Sequence, residues 1–242
     1  RGNSKYSLED YKGAIADYTK AIELKPDYAD AYYNRGVSKS DLEDYKGAIA
    51  DYTKAIELNP DYTNAYYNRG RTKNELEDYK GAIADYSKVI KIEPDFADAY
   101  FNRAILRKES EEYKGAIADY TKVIELEPDG VQAYYNRGRT KLELEDYKGA
   151  IADYTKVIKL EPDNANAYFW RGFINKGLED HYGAISDYTK LVELEPDSPD
   201  GYLNRGLSKY SLDDLDGACA DFRKAISLGS TKNIEAVRNN CN

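Results

Sequence analysis

A proline recurs every 34 residues along this 242-residue chain, and the amino-acid sequence between the prolines repeats with the same period. The six prolines in register are Pro26, Pro60, Pro94, Pro128, Pro162 and Pro196. The segment YKGAIADYTKAIEL stands at 11–24 and again, unchanged, at 45–58. A fixed period of this length indicates a solenoid or repeat array, in which each unit buries its apolar face against its neighbours.

Each unit has the pattern of two helices joined by a short turn. In the unit that closes at Pro60, small and apolar residues at helical spacing predict a first helix over 29–42 and a second over 45–58. Asp44 is the predicted N-cap of the second helix, because its carboxylate can accept the free backbone N–H groups there. Pro60 ends the unit, since the residue before a proline is held out of the helical conformation.

These features together resemble the tetratricopeptide repeat. The resemblance rests on the 34-residue period, the closing Pro60, aromatic Tyr32, Gly36 at a close-packed position and the spacing from Ala48 to Tyr52. It covers residues 1 to about 229. It implies an all-α fold, a right-handed superhelical solenoid of antiparallel helix pairs, and a protein that binds other polypeptides and is not an enzyme.

The period divides the chain into units. We predict a partial first unit over 1–27, which lacks the start of its first helix and indicates that the chain begins inside a repeat. A C-terminal capping helix is predicted over 230–242. The full units between them are 28–61, 62–95, 96–129, 130–163, 164–197 and 198–229.

An arginine stands in every unit where the family usually has leucine, and an aspartate recurs in the second helix. The arginines are Arg1, Arg35, Arg69, Arg103, Arg137, Arg171 and Arg205; the aspartates are Asp17, Asp51, Asp85, Asp119, Asp153, Asp187 and Asp221. Positions equally far from the turn of a hairpin lie side by side, so Arg35 is predicted to pair with Asp51. Asp51 also approaches Arg69 of the next unit, and the sequence does not decide between the two arginines.

Composition argues against several classes of function. Acidic residues outnumber basic ones by 44 to 35, so general nucleic-acid binding is not expected. No apolar run approaches the roughly 18 residues of a membrane helix, so direct membrane insertion is not expected. The one histidine, His181, has no positioned partner in the pattern, and no metal-ligand spacing occurs. We therefore predict no catalytic residue, no cofactor and no metal.

In the resembled family the first helices line a concave groove that holds peptides or partner helices. The recurrent asparagine of this groove could pair with both backbone groups of an extended peptide. The alternative is that it is a solvated residue copied by duplication. By resemblance the groove residues are Tyr33, Asn34, Tyr67, Asn68, Arg71, Phe101, Asn102, Tyr135, Asn136, Arg139, Phe169, Trp170, Phe173 and Asn204.

Two features of the predicted groove vary from unit to unit. Arg71 and Arg139 could pair with ligand carboxylates, as could Lys108 and Lys176 one turn further on, or neighbouring glutamates could neutralise them. The unit 164–197 carries Phe169, Trp170 and Phe173, a patch that Leu203, Leu207 and Tyr210 would extend. Such a patch predicts a partner contact; the alternative is that the C-terminal tail buries it.

The two cysteines, Cys219 and Cys241, stand eleven residues on either side of Ser230. A hairpin that turns at Ser230 would make them neighbours, within reach of a disulfide. The alternative is two unrelated thiols, since Cys219 occupies a position where other units have isoleucine. A disulfide would place the chain in an oxidising compartment, periplasmic or extracytoplasmic; without it, a cytoplasmic location is equally open.

The sequence thus predicts a scaffold that holds a partner protein or peptide in its concave groove. Two alternatives stay open. One is a structural module that self-associates as a homo-oligomer, and the other is a regulatory or targeting domain of a larger protein.

Overall fold

The computed structural model describes residues 2–231 and residue 241. Within these residues the chain is α-helical, with fourteen helices joined by short turns. The helices are α1 (Gly2–Tyr6), α2 (Tyr11–Leu24), α3 (Ala29–Asp41), α4 (Tyr45–Leu58), α5 (Thr63–Glu75), α6 (Tyr79–Ile92), α7 (Ala97–Glu109), α8 (Tyr113–Leu126), α9 (Val131–Leu142), α10 (Tyr147–Leu160), α11 (Ala165–Gly177), α12 (His181–Leu194), α13 (Pro199–Tyr210) and α14 (Leu215–Ser227).

The chain forms two compact units, Arg1–Pro128 and Asp129–Asn242, here called the N-terminal unit and the C-terminal unit. In the N-terminal unit, α1 to α8 pack as four consecutive helix pairs, and α2, α4 and α6 each pack on the first helix of the next pair. In the C-terminal unit, α9 to α14 form three pairs, joined through α10 with α11 and α12 with α13. The helix pair predicted over 29–42 and 45–58 is confirmed as α3 and α4.

The turn inside each pair ends one helix and starts the next within three or four residues. After α3, Glu43 takes a left-handed φ of 60°, and the Asp44 N–H reaches back to the Lys39 carbonyl at 2.9 Å. The Asp44 carboxylate then accepts the Gly47 N–H at 3.1 Å, which confirms Asp44 as the N-cap of α4. A Cβ at Gly47 would lie 2.1 Å from Asp44 Oδ2, so glycine here leaves room for the capping carboxylate.

A buried tyrosine from each second helix fills the space between paired helices. Tyr52 is 1% exposed, and a Cβ on Gly36 of the paired helix would lie 2.8 Å from its Cε1 atom. Small and large residues thus interlock across the pair. The residues at this position are Tyr18, Tyr52, Tyr86, Tyr120, Tyr154, Tyr188 and Phe222, each buried.

The repeated arginine binds the aspartate of its own helix pair, which settles the choice that the sequence left open. Arg35 donates to both carboxylate oxygens of Asp51, at 2.8 and 2.6 Å. Its remaining nitrogen, Nη1, donates to Thr19 of the preceding pair at 3.1 Å. Lys39 adds a second cation 2.7 Å from Asp51. The same arginine–aspartate pairing holds for Arg69–Asp85, Arg103–Asp119, Arg137–Asp153, Arg171–Asp187 and Arg205–Asp221.

The last helix pair is closed by a disulfide. Cys219 of α14 is bonded to Cys241, with their Cα atoms 5.4 Å apart. Both cysteines are buried in a cluster with Leu203 and Phe222. Leu203 is 5% exposed, so the expectation that it extends an exposed patch is wrong: it packs inward on this cluster. Of the capping helix predicted over 230–242, residues 232–240 and 242 lie outside the described residues.

Candidate binding groove

A polar cleft of about 500 Å³ opens on the first helices of the N-terminal unit. Two predicted groove residues, Asn68 and Arg71, stand in its wall. Arg71 faces a lining that also includes the carboxylates of Asp41 and Glu75. The full lining is Tyr6, Val37, Ser40, Asp41, Tyr45, Tyr52, Asn68, Arg71, Thr72 and Glu75. Cationic, anionic and hydroxyl groups in one cleft suit a polar, extended ligand better than an apolar one.

Tyr6 belongs to this cleft, although sequence reasoning did not select it. Burial, together with a hydrogen bond to the Asp41 carboxylate, raises the pKa of Tyr6 to about 12. Tyr6 therefore keeps its proton at neutral pH and donates it to the Asp41 carboxylate. It comes from α1, in the partial first unit, where only the fold brings it beside α3.

The recurrent asparagines link successive first helices. The Asn68 side chain donates from Nδ2 to the Tyr33 hydroxyl at 2.9 Å, and Asn102 donates to Tyr67 at 3.0 Å. Each bond joins a first helix to the first helix of the preceding pair. These asparagines are therefore more than solvated copies, yet each retains its Oδ1 acceptor and one amide hydrogen for a ligand.

Other predicted groove residues lie apart from this arrangement. Asn34 lines a separate cleft of about 460 Å³, with Asn3 and Tyr18 among its neighbours. Phe101 packs on Tyr120, with ring centroids 5.7 Å apart, and has no hydroxyl to offer. Asn136 is half-buried on α9.

The C-terminal unit gathers four predicted groove residues around a fifth, Trp170. Its ring meets Phe169 and Phe173 edge-on, with centroids 5.5 and 5.8 Å apart. The Arg139 guanidinium lies over its other flank, 5.7 Å from the centroid. Its Nε1 donates to the Tyr135 hydroxyl at 3.1 Å. We call Tyr135, Arg139, Phe169, Trp170 and Phe173 the aromatic cluster.

Trp170 replaces an asparagine but performs the same internal task. Its indole N–H makes the bond to tyrosine that Asn68 and Asn102 make elsewhere. The ring is thus held in place before any ligand arrives, which lowers the ordering cost of binding. Phe173 beside it is 47% exposed, so the cluster presents apolar surface to solvent.

Two cations border the aromatic cluster. In the described part of the chain, Arg139 and Lys176 have no carboxylate within ion-pair distance, whereas Lys108 at the equivalent position of α7 lies 3.5 Å from Glu109. Lys176 donates to Asn204 Oδ1 at 2.6 Å, and burial lowers the pKa of its ammonium. Neutralisation by a neighbouring glutamate therefore applies to Lys108 and not to Arg139 or Lys176.

Sequence reasoning missed the Lys176–Asn204 contact, although a signal for it exists. Each asparagine or tryptophan that donates across first helices follows a tyrosine in the preceding unit. Asn204 follows Phe169, which has no hydroxyl, so its amide must find another partner. Comparing positions one unit apart would have shown this break.

One further position that the sequence marked for its chemistry is His181. His181 is the first residue of α12, directly after the capping Asp180. Among the described residues, no three histidine, cysteine or acidic side chains converge as a metal site would need. None of the helices described is both long enough and apolar enough to cross a bilayer.

The fold and the side-chain pattern define a helical repeat protein built from consecutive helix pairs. A TPR repeat family model matches residues 2–39, 70–110, 106–144 and 138–179. Further tetratricopeptide repeat models match residues 29–62, 51–84, 165–198 and 199–228. The chain belongs to the tetratricopeptide repeat family, whose arrays generally serve as non-catalytic protein-interaction scaffolds.

Solved structures share this fold. The C-terminal part of a TPR repeat-containing protein from Cytophaga hutchinsonii superposes with a TM-score of 0.82 at 19% identity, covering 100% of this chain and 98% of that one. MamA superposes with a TM-score of 0.65 at 26% identity, covering 69% of this chain and 91% of that one. YrrB, described as a TPR protein with an unusual peptide-binding site, gives 0.67 at 24% identity, covering 74% and 92%. No curated protein sequence matches the chain significantly.

Proposed function

We propose that this chain holds an extended partner polypeptide against the groove faces of its first helices. The observation that carries the proposal is the aromatic cluster, in which Trp170 is fixed by Tyr135 and presents exposed Phe173 beside it. Exposed, pre-positioned aromatic side chains are the usual anchors of protein interfaces.

The asparagines supply a second part of the proposed site. With one amide hydrogen given to a tyrosine, Asn68 and Asn102 still offer an acceptor and a donor. These groups match the N–H and C=O of an extended chain, so they would hold backbone without reading sequence. YrrB has a peptide-binding site on a similar fold, but at 24% identity that likeness concerns the fold, and the proposal depends on the side chains described above.

The test compares two aromatic positions in one helix pair. Peptides selected from a random 12-residue library on the immobilised protein would be measured by fluorescence polarisation against three proteins. Trp170→Asn restores the asparagine found in other units, so it can still bond to Tyr135 while the ring is lost. We expect it to bind about 30-fold more weakly, the equivalent of one anchor residue.

Tyr182→Asn is the matched control, because Tyr182 is 76% exposed on the second helix α12. It should bind like the unchanged protein. Equal affinity of the Trp170→Asn and unchanged proteins would refute the groove. The alternative of self-association is measured separately, by light scattering over a range of protein concentrations.

We also propose that the chain functions in an oxidising compartment. The Cys219–Cys241 disulfide supports this, because disulfides in reducing cytosol are rare. Thiol titration of the unfolded protein, isolated without reductant from its native host, tests it: two free thiols would remove the argument.

A further inference from the structure

Phenylalanine replaces the hydrogen-bonding tyrosine of the first helices at Phe101 and Phe169, and the second replacement changes the contacts beside the aromatic cluster. Tyr135 receives the N–H of Trp170, as Tyr33 and Tyr67 receive those of their asparagines. In the following pair, Phe169 offers no hydroxyl. Asn204 instead donates Nδ2 to the carbonyl of Asp200 at 2.9 Å and turns its Oδ1 toward Lys176.

This arrangement positions the Lys176 ammonium without neutralising it. Its Nζ lies 2.6 Å from the neutral Asn204 Oδ1 and 5.8 Å from the centroid of the Phe173 ring. An ammonium has three donors, and the amide oxygen takes one of them. A half-buried ammonium with a neutral partner binds a carboxylate more favourably than a fully hydrated ammonium does. Burial has already removed part of its hydration shell, so binding costs less desolvation.

A second cation, Arg139, lies against the same group of aromatic residues. Arg139 covers the flank of Trp170 and is exposed, so its guanidinium can still reach a ligand. An acidic residue ends α3, α5 and α7 and directly follows α9, but the next two first helices have none at this position. The residues at this position are Asp41, Glu75, Glu109, Glu143, Gly177 and Ser211.

We propose that the aromatic cluster with Lys176 selects partner segments that carry an Asp or Glu side chain next to an aromatic residue. The aromatic residue packs on exposed Phe173, and the carboxylate binds Lys176, with Arg139 as the second cation. The inference rests on the proposed groove function and adds charge selectivity to it. The chain has a net charge of −9, which repels acidic segments in general. The two cations without carboxylate partners would attract an acidic segment to this one site.

The probes are three acetylated and amidated 12-residue peptides of serine and glycine that carry Asp-Phe, Asn-Phe or Asp-Ala at their centre. A fourth has Asn-Phe and a free C-terminal carboxylate. Trp170 is the one tryptophan of the chain, so its fluorescence reports occupancy of this site directly. We expect Asp-Phe to bind about tenfold more tightly than Asn-Phe, the effect of one charged hydrogen bond, and the preference to weaken with salt.

Lys176→Gln should reduce the Asp-over-Asn preference to within about threefold. Lys190→Gln is its matched control, since Lys190 on α12 is already paired with Glu193 at 3.1 Å. It should keep the tenfold preference.

The outcomes separate the two proposals. Equal binding of Asp-Phe and Asn-Phe would overturn charge selectivity and leave the groove standing. Tight binding of the free-carboxylate peptide alone would overturn recognition of an internal acidic side chain. No binding of any probe at millimolar concentration would overturn this inference, and the library selection above would then decide the groove itself.

Discussion

Arg69 donates two parallel hydrogen bonds to Asp85 of its own helix pair, from Nε at 2.9 Å and from Nη2 at 2.7 Å. Asp85 is 3% exposed, and Lys73 Nζ lies 2.7 Å from its Oδ2 atom. The third arginine nitrogen, Nη1, binds Thr53 of the preceding pair at 2.9 Å. One side chain therefore connects three consecutive helices.

Arg69→Leu should lower the free energy of unfolding by about 3 kcal/mol, because it leaves the buried Asp85 carboxylate with Lys73 alone. The double variant Arg69→Leu with Asp85→Leu should lose less than the single one, since no buried charge is then left behind. Urea denaturation of both proteins measures this. An unchanged denaturation midpoint for Arg69→Leu would show that the pairing carries no stability.

Asn175→Lys should stabilise the protein at neutral pH by about 1 kcal/mol. Burial raises the pKa of Asp187, against the lowering effect of Arg171, and Asn175 stands where α3 has Lys39. Because the pKa of Asp187 is higher in the folded state, this residue stabilises the fold at pH values below 3.8, its pKa in the unfolded chain. That stabilisation is lost as the pH rises through the pKa of the folded state. A lysine would pair with the ionised carboxylate and reduce that loss.

The gain from Asn175→Lys should therefore be present at pH 7 and smaller at pH 3, because protonation of Asp187 removes the carboxylate with which the lysine would pair. Urea denaturation at the two pH values measures it. Lys46→Gln on exposed surface serves as the reference for a change of one charge. A gain of equal size at low pH would point to a cause other than Asp187.

Reduction of the Cys219–Cys241 bond should lower the stability of the last helix pair by about 3 kcal/mol, the loop-closure value for a 22-residue separation. The double variant Cys219→Ala with Cys241→Ala should lose a similar amount and stop responding to reductant. Thermal unfolding with and without dithiothreitol makes the comparison. Equal melting of the oxidised and reduced proteins would contradict the stapling role.

Glu77→Gly should raise stability by up to about 1 kcal/mol, because Glu77 has a left-handed φ of 59° that costs a side chain of L configuration more than it costs glycine. Lys88→Gly, at an exposed position inside α6, should instead lower stability by about 1 kcal/mol. Equilibrium denaturation of the two variants gives the sign of each change. A loss in both would mean that the turn carries no backbone strain.

Local patterns allowed much of the fold to be predicted from the sequence. Helical spacing and the cap at Asp44 gave the helix pair α3 and α4, and hairpin symmetry gave the pairing of Arg35 with Asp51. Symmetry left two arginines in competition for Asp51, because the distance between pairs depends on packing. The structure resolves this: the next arginine, Arg69, reaches Thr53, two residues further along the same helix.

The candidate site was less predictable, because it depends on contacts between units. Comparison of equivalent positions in successive units identified Trp170 and Phe173 as neighbours. It did not identify the hydrogen bond that fixes Trp170 to Tyr135. Leu203 shares a column with Phe169, yet it is buried, because the disulfide brings Cys241 against it. The repeat period of the sequence does not predict such long-range disulfides and hydrogen bonds.

The hydrogen bond from each arginine to the threonine or serine of the preceding pair bears on how such an array can change its length. Within each compact unit, the contact between consecutive pairs sets a hydroxyl of one pair against the guanidinium of the next, as in Thr53 with Arg69 and Thr155 with Arg171, whereas the last pair has Arg223 at the hydroxyl position. A gene duplication or deletion of one whole period among the pairs that carry this hydroxyl would therefore join a hydroxyl to a guanidinium again. The joint tolerates recombination, and the array can lengthen or shorten by whole units without orphaning a buried charge.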